Sequence, residues 1–122
     1  MNKIKRRDID EIAIDRLLLL YLIKEANRYV ALGRTRLQKF AFLSEYKMLS
    51  NKIKGLNLKF FRWNIGPMSE EVYQDCEVLC RVGLINGTEW PIALTEFGKR
   101  FLTSFLDVIR KKRNNERILE II

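Results

Sequence analysis

Residues 59–85 read KFFRWNIGPMSEEVYQDCEVLCRVGLI and carry the strongest structural signals in the chain. Aromatic and aliphatic residues over 56–63 favour a short, partly buried strand. Gly66-Pro67 is expected to end it, because proline has no amide proton and glycine tolerates turn dihedrals. Ser69 is typical of a helix N-cap. The stretch therefore predicts a strand, a turn and a capped helix, followed by the entry to a hairpin.

The helix predicted from Ser69 to Val82 has two faces. Apolar residues recur at helical spacing on one of them: Val72, Tyr73, Cys76, Leu79 and Cys80. The other face is expected to be solvated and is mostly acidic: Glu70, Glu71, Gln74, Asp75, Glu77 and Arg81. We interpret this second face as a docking surface for a basic protein partner, since charge complementarity speeds encounter and sets specificity.

Before this stretch, two helices are predicted. Asp8 and Glu11 form a capping-box pair, and the nearly all-apolar run 17–23 places the first helix at the centre of the core. Thr35 and Gln38 repeat the capping-box spacing and are expected to open the second helix. The acids Asp8, Asp10, Glu11 and Asp15 could suggest a metal site, but acids at a helix start are better explained by the helix dipole.

After it, Asn86-Gly87 predicts a two-residue hairpin turn, with a return strand over 88–94. Thr95 is expected to cap the last helix. Its predicted core residues are Phe97, Phe101, Leu102, Phe105, Val108 and Ile109. Beyond it, Ile118, Leu119, Ile121 and Ile122 are more apolar than a solvated helix end, so they either fold back or pack on a second copy.

Length and composition indicate one domain. The chain has 122 residues, of which 48% are hydrophobic and 31% charged, as in ordinary globular proteins. We predict a mainly α, winged-helix-like single domain with a small β-hairpin, over 8–122. Residues 1–7 are predicted to be a basic flexible tail, and 110–122 a basic and apolar extension that could support a homodimer through the C-terminal helix. No apolar run reaches the roughly 20 residues of a membrane span, and no secretory signal is recognisable, so we expect a cytoplasmic protein.

Catalytic groups are not indicated by the sequence. It contains no histidine, no glycine-rich phosphate loop and no serine or thiol beside a base. Cys76 and Cys80 lie four apart on one helix, which suits a disulfide badly, and buried small hydrophobes are the simpler interpretation. We expect neither enzymatic activity nor a metal or other cofactor.

Charge is unevenly distributed. Of the net +8, residues 34–63 hold eight basic and one acidic side chain, whereas 64–98 hold one basic and six acidic ones. The alternative function is therefore nucleic-acid binding by the basic segment. The candidate residues are Arg34, Arg36, Lys39, Lys47, Lys52, Lys54, Lys59 and Arg62. These could equally be the solubilising charges of an ordinary surface.

Several segments resemble the Panacea domain family of SocA-like antitoxins and phage-associated proteins. They are GRTRLQKF over 33–40, WNIGPMS over 63–69, EVY over 71–73, GLI over 83–85 and LT over 94–95. The resemblance implies a non-catalytic helical module, because relatives neutralise toxins by binding them directly and one branch resembles a protease adaptor. A toxin-like protein partner is expected on this basis. Trp90 is a candidate anchor in such an interface, since aromatic residues concentrate binding energy, whereas Tyr73 is expected to belong to the core.

Overall fold

The computed structural model describes residues 6–53, 55–63, 66–110 and 120–122, without the side chains of 63 and 107–110. Within these ranges the protein is mainly helical with one small two-stranded antiparallel sheet, as predicted. The elements follow in the order α1 (Ile9–Ala26), α2 (Arg34–Ser50), β1 (Phe61–Trp63), β2 (Gly66–Met68), α3 (Glu70–Arg81) and α4 (Glu96–Arg110).

Helix α1 is the central element of the core. Its N-cap is Asp8, whose side chain accepts from the Glu11 amide at 2.8 Å while the Glu11 carboxylate accepts from the Asp8 amide at 3.0 Å. The residues from Leu18 to Ile23 are all buried, and α1 packs against α2, α3 and α4. Both the predicted capping box and the predicted central position are confirmed.

Helix α2 begins two residues earlier than predicted. Its N-cap is Gly33, with no side-chain hydrogen bond, so the capping box predicted from Thr35 and Gln38 is wrong. Gln38 is only 3% exposed, and its amide faces Ser69 instead. It donates to the Ser69 carbonyl at 3.0 Å and accepts from the Ser69 amide at 2.9 Å. Two bonds that satisfy buried backbone groups outweigh the single bond of a cap.

The sheet is a hairpin within the stretch 61–68. The register pairs Phe61 with Met68, Arg62 with Pro67 and Trp63 with Gly66. The strand predicted over 56–63 is confined to 61–63. The turn predicted at Gly66-Pro67 is wrong, because both residues lie in β2. Each strand of a two-stranded sheet has a free edge, which is where proline is tolerated.

The hairpin predicted around Asn86-Gly87 is instead a loop. Only one bridge, between Ile85 and Leu94, joins its ends in the described chain, so the two-residue turn predicted at Asn86 is wrong. The Asn86 side chain donates to the Pro91 carbonyl and accepts from the Ala93 amide, both at 3.0 Å. The Asn86 side chain therefore binds backbone groups that would otherwise pair between two strands. Pro91 also has no amide proton to donate to such a pairing.

Helix α4 begins as predicted and approaches the core through a glycine. The Thr95 hydroxyl accepts from the Gly98 amide at 3.0 Å, which confirms the cap. Gly98 lies directly against the backbone of Leu84, where an added Cβ would come within 2.0 Å of the carbonyl oxygen. Close packing of α4 on this segment therefore requires a residue without a side chain.

That approach rotates the predicted core face of α4. Leu102 and Leu106 follow Gly98 at helical spacing and are buried, whereas Phe97 and Phe105 are 49% and 40% exposed. Phe97, Phe101 and Phe105 form a line of contacting rings, with centroid distances of 6.1 and 4.7 Å. The assignment of Phe97 and Phe105 to the core is wrong, and Leu106 takes a place there. The side chains of 108 and 109 lie outside the described residues.

The end of the chain folds back. Ile121 and Ile122 pack, partly buried, against the core. Of the two alternatives for this apolar tail, these residues follow the first, while 111–119 lie outside the described residues. Among the described residues, no helix combines the length and apolarity needed to cross a membrane.

Candidate functional site

The outer side of α3 keeps three of the predicted docking residues together. Glu70, Gln74 and Glu77 are all exposed and follow the i, i+4, i+7 spacing that aligns side chains on one helix face. We call these three residues the acidic stripe. Glu70 lies in the first turn, where its carboxylate is favoured by the helix dipole.

Asp75 does not belong to that surface. Its side chain is 0% exposed, so the prediction that it is a docking residue is wrong. Its carboxylate accepts two bonds from the Arg7 guanidinium at 2.9 and 3.1 Å, and one from Arg16 Nε at 3.0 Å. The sequence spacing indicates this burial, because Asp75 lies three residues after Val72 and four before Leu79, on the apolar side of the helix.

Arg7 joins a second buried carboxylate to the first. The same guanidinium donates to Asp15 at 2.9 Å, and its side chain is only 10% exposed. Asp15 is 0% exposed. Burial raises the pKa of Asp15, although the hydrogen bonds from Arg7 and from the Asn57 amide act in the opposite direction. We call Arg7, Asp15, Arg16 and Asp75 the buried ion network. It includes Arg7, which was predicted to belong to the flexible tail, and Asp15, which was grouped with the acids that the helix dipole explains.

Glu71 is also engaged within the protein. One oxygen of its half-buried carboxylate accepts from the Lys59 amide at 2.7 Å and from the Ser69 hydroxyl at 3.1 Å. Glu71 therefore holds the segment before β1 against α3. The prediction that Glu71 belongs to an open docking face is wrong, because its carboxylate is bound within the protein. The Ser69 side chain faces Glu71, so Ser69 is the N-cap residue of α3 without a side-chain cap bond.

Three consecutive amides of that segment each meet a carboxylate. The amide of Asn57 donates to Asp15 of α1 at 2.7 Å, and that of Leu58 donates to Glu45 of α2 at 3.0 Å, followed by the Lys59 bond to Glu71 of α3. Burial raises the pKa of Glu45 to about 7, and the negative charges of Asp15 and Glu71 act in the same direction. The backbone amides of 57–59 are thus bound by carboxylates from three helices and not by a neighbouring strand.

The aromatic candidates lie near the start of α2. Tyr73 is half-buried rather than a core residue: the Arg34 guanidinium lies 4.6 Å from its ring centre and donates to its hydroxyl at 2.7 Å. Arg34 also approaches Glu89 at 3.6 Å. Trp90 is 66% exposed, and its ring lies 3.5 Å from the point where a Cβ on Gly33 would be. Trp90 is therefore available at the surface.

The basic candidates are divided between surfaces. Arg36, Lys39 and Lys47 are exposed and share the outer face of α2, while Arg34 turns toward α3. Lys52, Lys59 and Arg62 are also exposed, and Lys54 lies outside the described residues. The only acid in α2, Glu45, faces inward. The outer face of α2 is thus basic without intervening carboxylates.

The two cysteines are free thiols, and Cys76 is buried. Burial raises the pKa of Cys76 to about 12, which keeps it protonated near neutral pH and is consistent with a small core hydrophobe. Within the part of the chain that the structure describes, no cluster of three histidine, cysteine or carboxylate side chains could hold a metal ion.

No family model, curated protein or solved structure matches the chain.

Proposed function

We propose that the protein is a non-enzymatic regulatory binding module of the antitoxin-like type, which acts by protein–protein interaction. The observation that carries the proposal is the acidic stripe, Glu70, Gln74 and Glu77, exposed on a helix whose opposite side is tied to α1 by Asp75. A charged surface on a rigid element binds with little ordering cost. The partner chemistry that fits is a basic face opposite the two carboxylates.

The resemblance to the Panacea domain family supports the same interpretation. In a winged-helix-like arrangement, α3 would occupy the place of the helix that enters a DNA groove. Glu70 and Glu77 on its outer face would repel phosphates there, because affinity for DNA depends on neutralising the backbone. A polypeptide partner, such as a toxin with a basic surface, meets no such repulsion, and Trp90 offers an exposed aromatic anchor near the start of α2.

The test is capture of a partner by the tagged protein from extracts of the native host. Glu70→Lys combined with Glu77→Lys should reduce recovery of a discrete partner at least about tenfold, as expected for like charges placed opposite each other in an interface. The matched control is Asp10→Lys with Glu96→Lys, since both are exposed acids in the first turns of other helices. Recovery that is unaffected by the first pair would refute the assignment of the acidic stripe.

A second candidate function is nucleic-acid binding by the outer face of α2. It is favoured by the acid-free arrangement of Arg36, Lys39 and Lys47. It predicts a gel shift whose affinity falls steeply between roughly 50 and 200 mM salt. Changing all three residues to glutamate should abolish the shift, and absence of a shift even at low salt would eliminate this function.

A homodimer through the C-terminal helix is a further proposal about assembly. The exposed parts of Phe97 and Phe105 provide the apolar contact that such a dimer needs. Light scattering of the purified protein, compared with a Phe97→Ser, Phe105→Ser variant, tests it. A monomer at concentrations near 100 μM would refute it, since specific interfaces hold at such concentrations.

A further inference from the structure

A groove runs between α1 and α2, and no residue of the acidic stripe lines it. Its floor is apolar and includes Tyr21, Leu22 and Ala26, which are 7%, 5% and 8% exposed. Its α2 wall includes Leu43, which is 49% exposed. We call this feature the α1–α2 groove.

The chain's own last residues lie in this groove. Glu120, Ile121 and Ile122 form part of its lining, and both isoleucines are only partly buried. With these residues in place, a volume of about 510 Å³ remains open beside them. Partial burial of two side chains captures only part of the available hydrophobic stabilisation. The tail therefore shows that the groove accepts branched aliphatic side chains, although Ile121 and Ile122 do not fill it.

We propose that the α1–α2 groove is the docking site for a partner segment with two consecutive branched aliphatic residues, and that residues 120–122 cover it until that segment displaces them. The proposal rests on the proposed protein-binding function and adds to it a second contact and a built-in competitor. Exposed Leu43 and Tyr29, at 49% and 78%, lie beside the open volume and offer apolar surface that the tail leaves uncovered.

A partner segment explains the geometry better than the tail of a second copy does. The tail in the same chain competes at an effective concentration near the millimolar range, because it is covalently linked to the groove. An identical tail from another copy brings the same two isoleucines without the advantage of covalent linkage. A foreign segment that also fills the remaining volume gains apolar burial that the tail lacks.

The experiment measures binding of a fluorescent peptide by anisotropy. The probe is the labelled peptide NNERILEII, which has the sequence of residues 114–122. It is titrated into the full chain and into full-length Ile121→Asp, Ile122→Asp protein, whose charged tail should leave the apolar groove. We expect the variant to bind the peptide at least about tenfold more tightly than the unchanged chain, since the linked competitor has been removed. Should the double aspartate variant not fold by circular dichroism, Ile121→Ser, Ile122→Ser serves the same purpose.

Two substitutions on α2 localise the binding. Leu43→Glu, in the background of the tail variant, should weaken the peptide at least about tenfold, as expected when a charge faces an apolar ligand. Leu49→Glu is the matched control, because Leu49 is 62% exposed on the same helix and does not line the groove. It should leave peptide binding unchanged.

Three results would overturn the proposal. They are equal binding of the peptide to both proteins, no binding to a folded tail variant, and a dimer that dissociates when the tail is changed, which would assign the groove to a second copy. The partner-capture experiment with the acidic stripe is independent of all three. Loss of peptide binding with intact partner capture refutes only the groove, and failure of partner capture with intact peptide binding refutes only the acidic stripe.

Discussion

Removal of Arg7 should destabilise the fold although it lies only a few residues from the start of the sequence. Its guanidinium bridges Asp15 and Asp75, both 0% exposed, with three bonds of 2.9 to 3.1 Å. Arg7→Ala leaves two carboxylates buried with fewer donors. Breaking a buried ion pair from one side costs about 3–5 kcal/mol, and we expect the free energy of unfolding to fall by about that amount.

The structure also orders the effects within the buried ion network. Asp75→Ala removes the partner of both Arg7 and Arg16, but Arg7 keeps its bond to Asp15, and Arg16 is 32% exposed and can be rehydrated. We therefore expect Asp75→Ala to cost less than Arg7→Ala. The double variant should cost less than the two single ones together by about 0.5–3 kcal/mol, because its members share one interaction.

Urea unfolding followed by circular dichroism gives these free energies directly. The matched controls are Arg6→Ala for Arg7 and Glu77→Ala for Asp75, because each control residue is exposed and lies close in sequence to the residue it is compared with. Each control should change stability by less than about 0.5 kcal/mol. A cost for Arg7→Ala below about 1 kcal/mol, or strict additivity with Asp75→Ala, would show that Arg7 does not anchor the segment before α1.

Three further predictions concern stability measured in the same way. The pKa of Glu45 is about 7 in the fold against 4.5 ordinarily, so folding takes up a proton and stability should fall as pH rises from about 4.5 through 7. Glu45→Gln should reduce this slope, to which the raised pKa of Asp15 also contributes, and should gain about 1–3 kcal/mol near pH 8, with no gain near pH 4. Gly98→Ala should cost about 3 kcal/mol, because its Cβ would meet a carbonyl oxygen at 2.0 Å, whereas Gly87→Ala meets nothing within 4 Å and should be nearly neutral. Gln38→Leu should cost about 2–4 kcal/mol by leaving the amide and carbonyl of Ser69 unpaired, and a cost below about 1 kcal/mol would contradict this role.

Local signals predicted the helix starts that depend on neighbouring residues. The Asp8 and Glu11 pair and the Thr95 cap are each made within one turn, so the sequence contains both partners at a fixed spacing. The apolar run in α1 likewise needs no knowledge of the rest of the fold, because a helix that is apolar on all sides can only be central.

Long-range partners account for the errors. Gln38 and Ser69 are 31 residues apart, and Arg7 and Asp75 are 68 apart. A glutamine near a helix start and an aspartate on an amphipathic helix each have a sensible local explanation, and only the fold shows that another partner wins. The face of α4 was missed for a related reason, since the contact of Gly98 with the backbone of Leu84 sets the rotation of the helix.

The acids that turned inward also change how the charge pattern bears on function. Asp15 and Asp75 pair with Arg7 and Arg16, and the half-buried Glu45 and Glu71 bind backbone amides. These four carboxylates therefore contribute little to the electrostatic potential at the surface. The surface is more basic than the charge counts of the sequence segments suggest. The two functions now depend on two separate sets of three exposed residues, the acidic stripe on α3 and the basic outer face of α2. Because no residue is shared between them, charge reversal on one surface leaves the other unaltered, and the pair of experiments can identify the surface that binds.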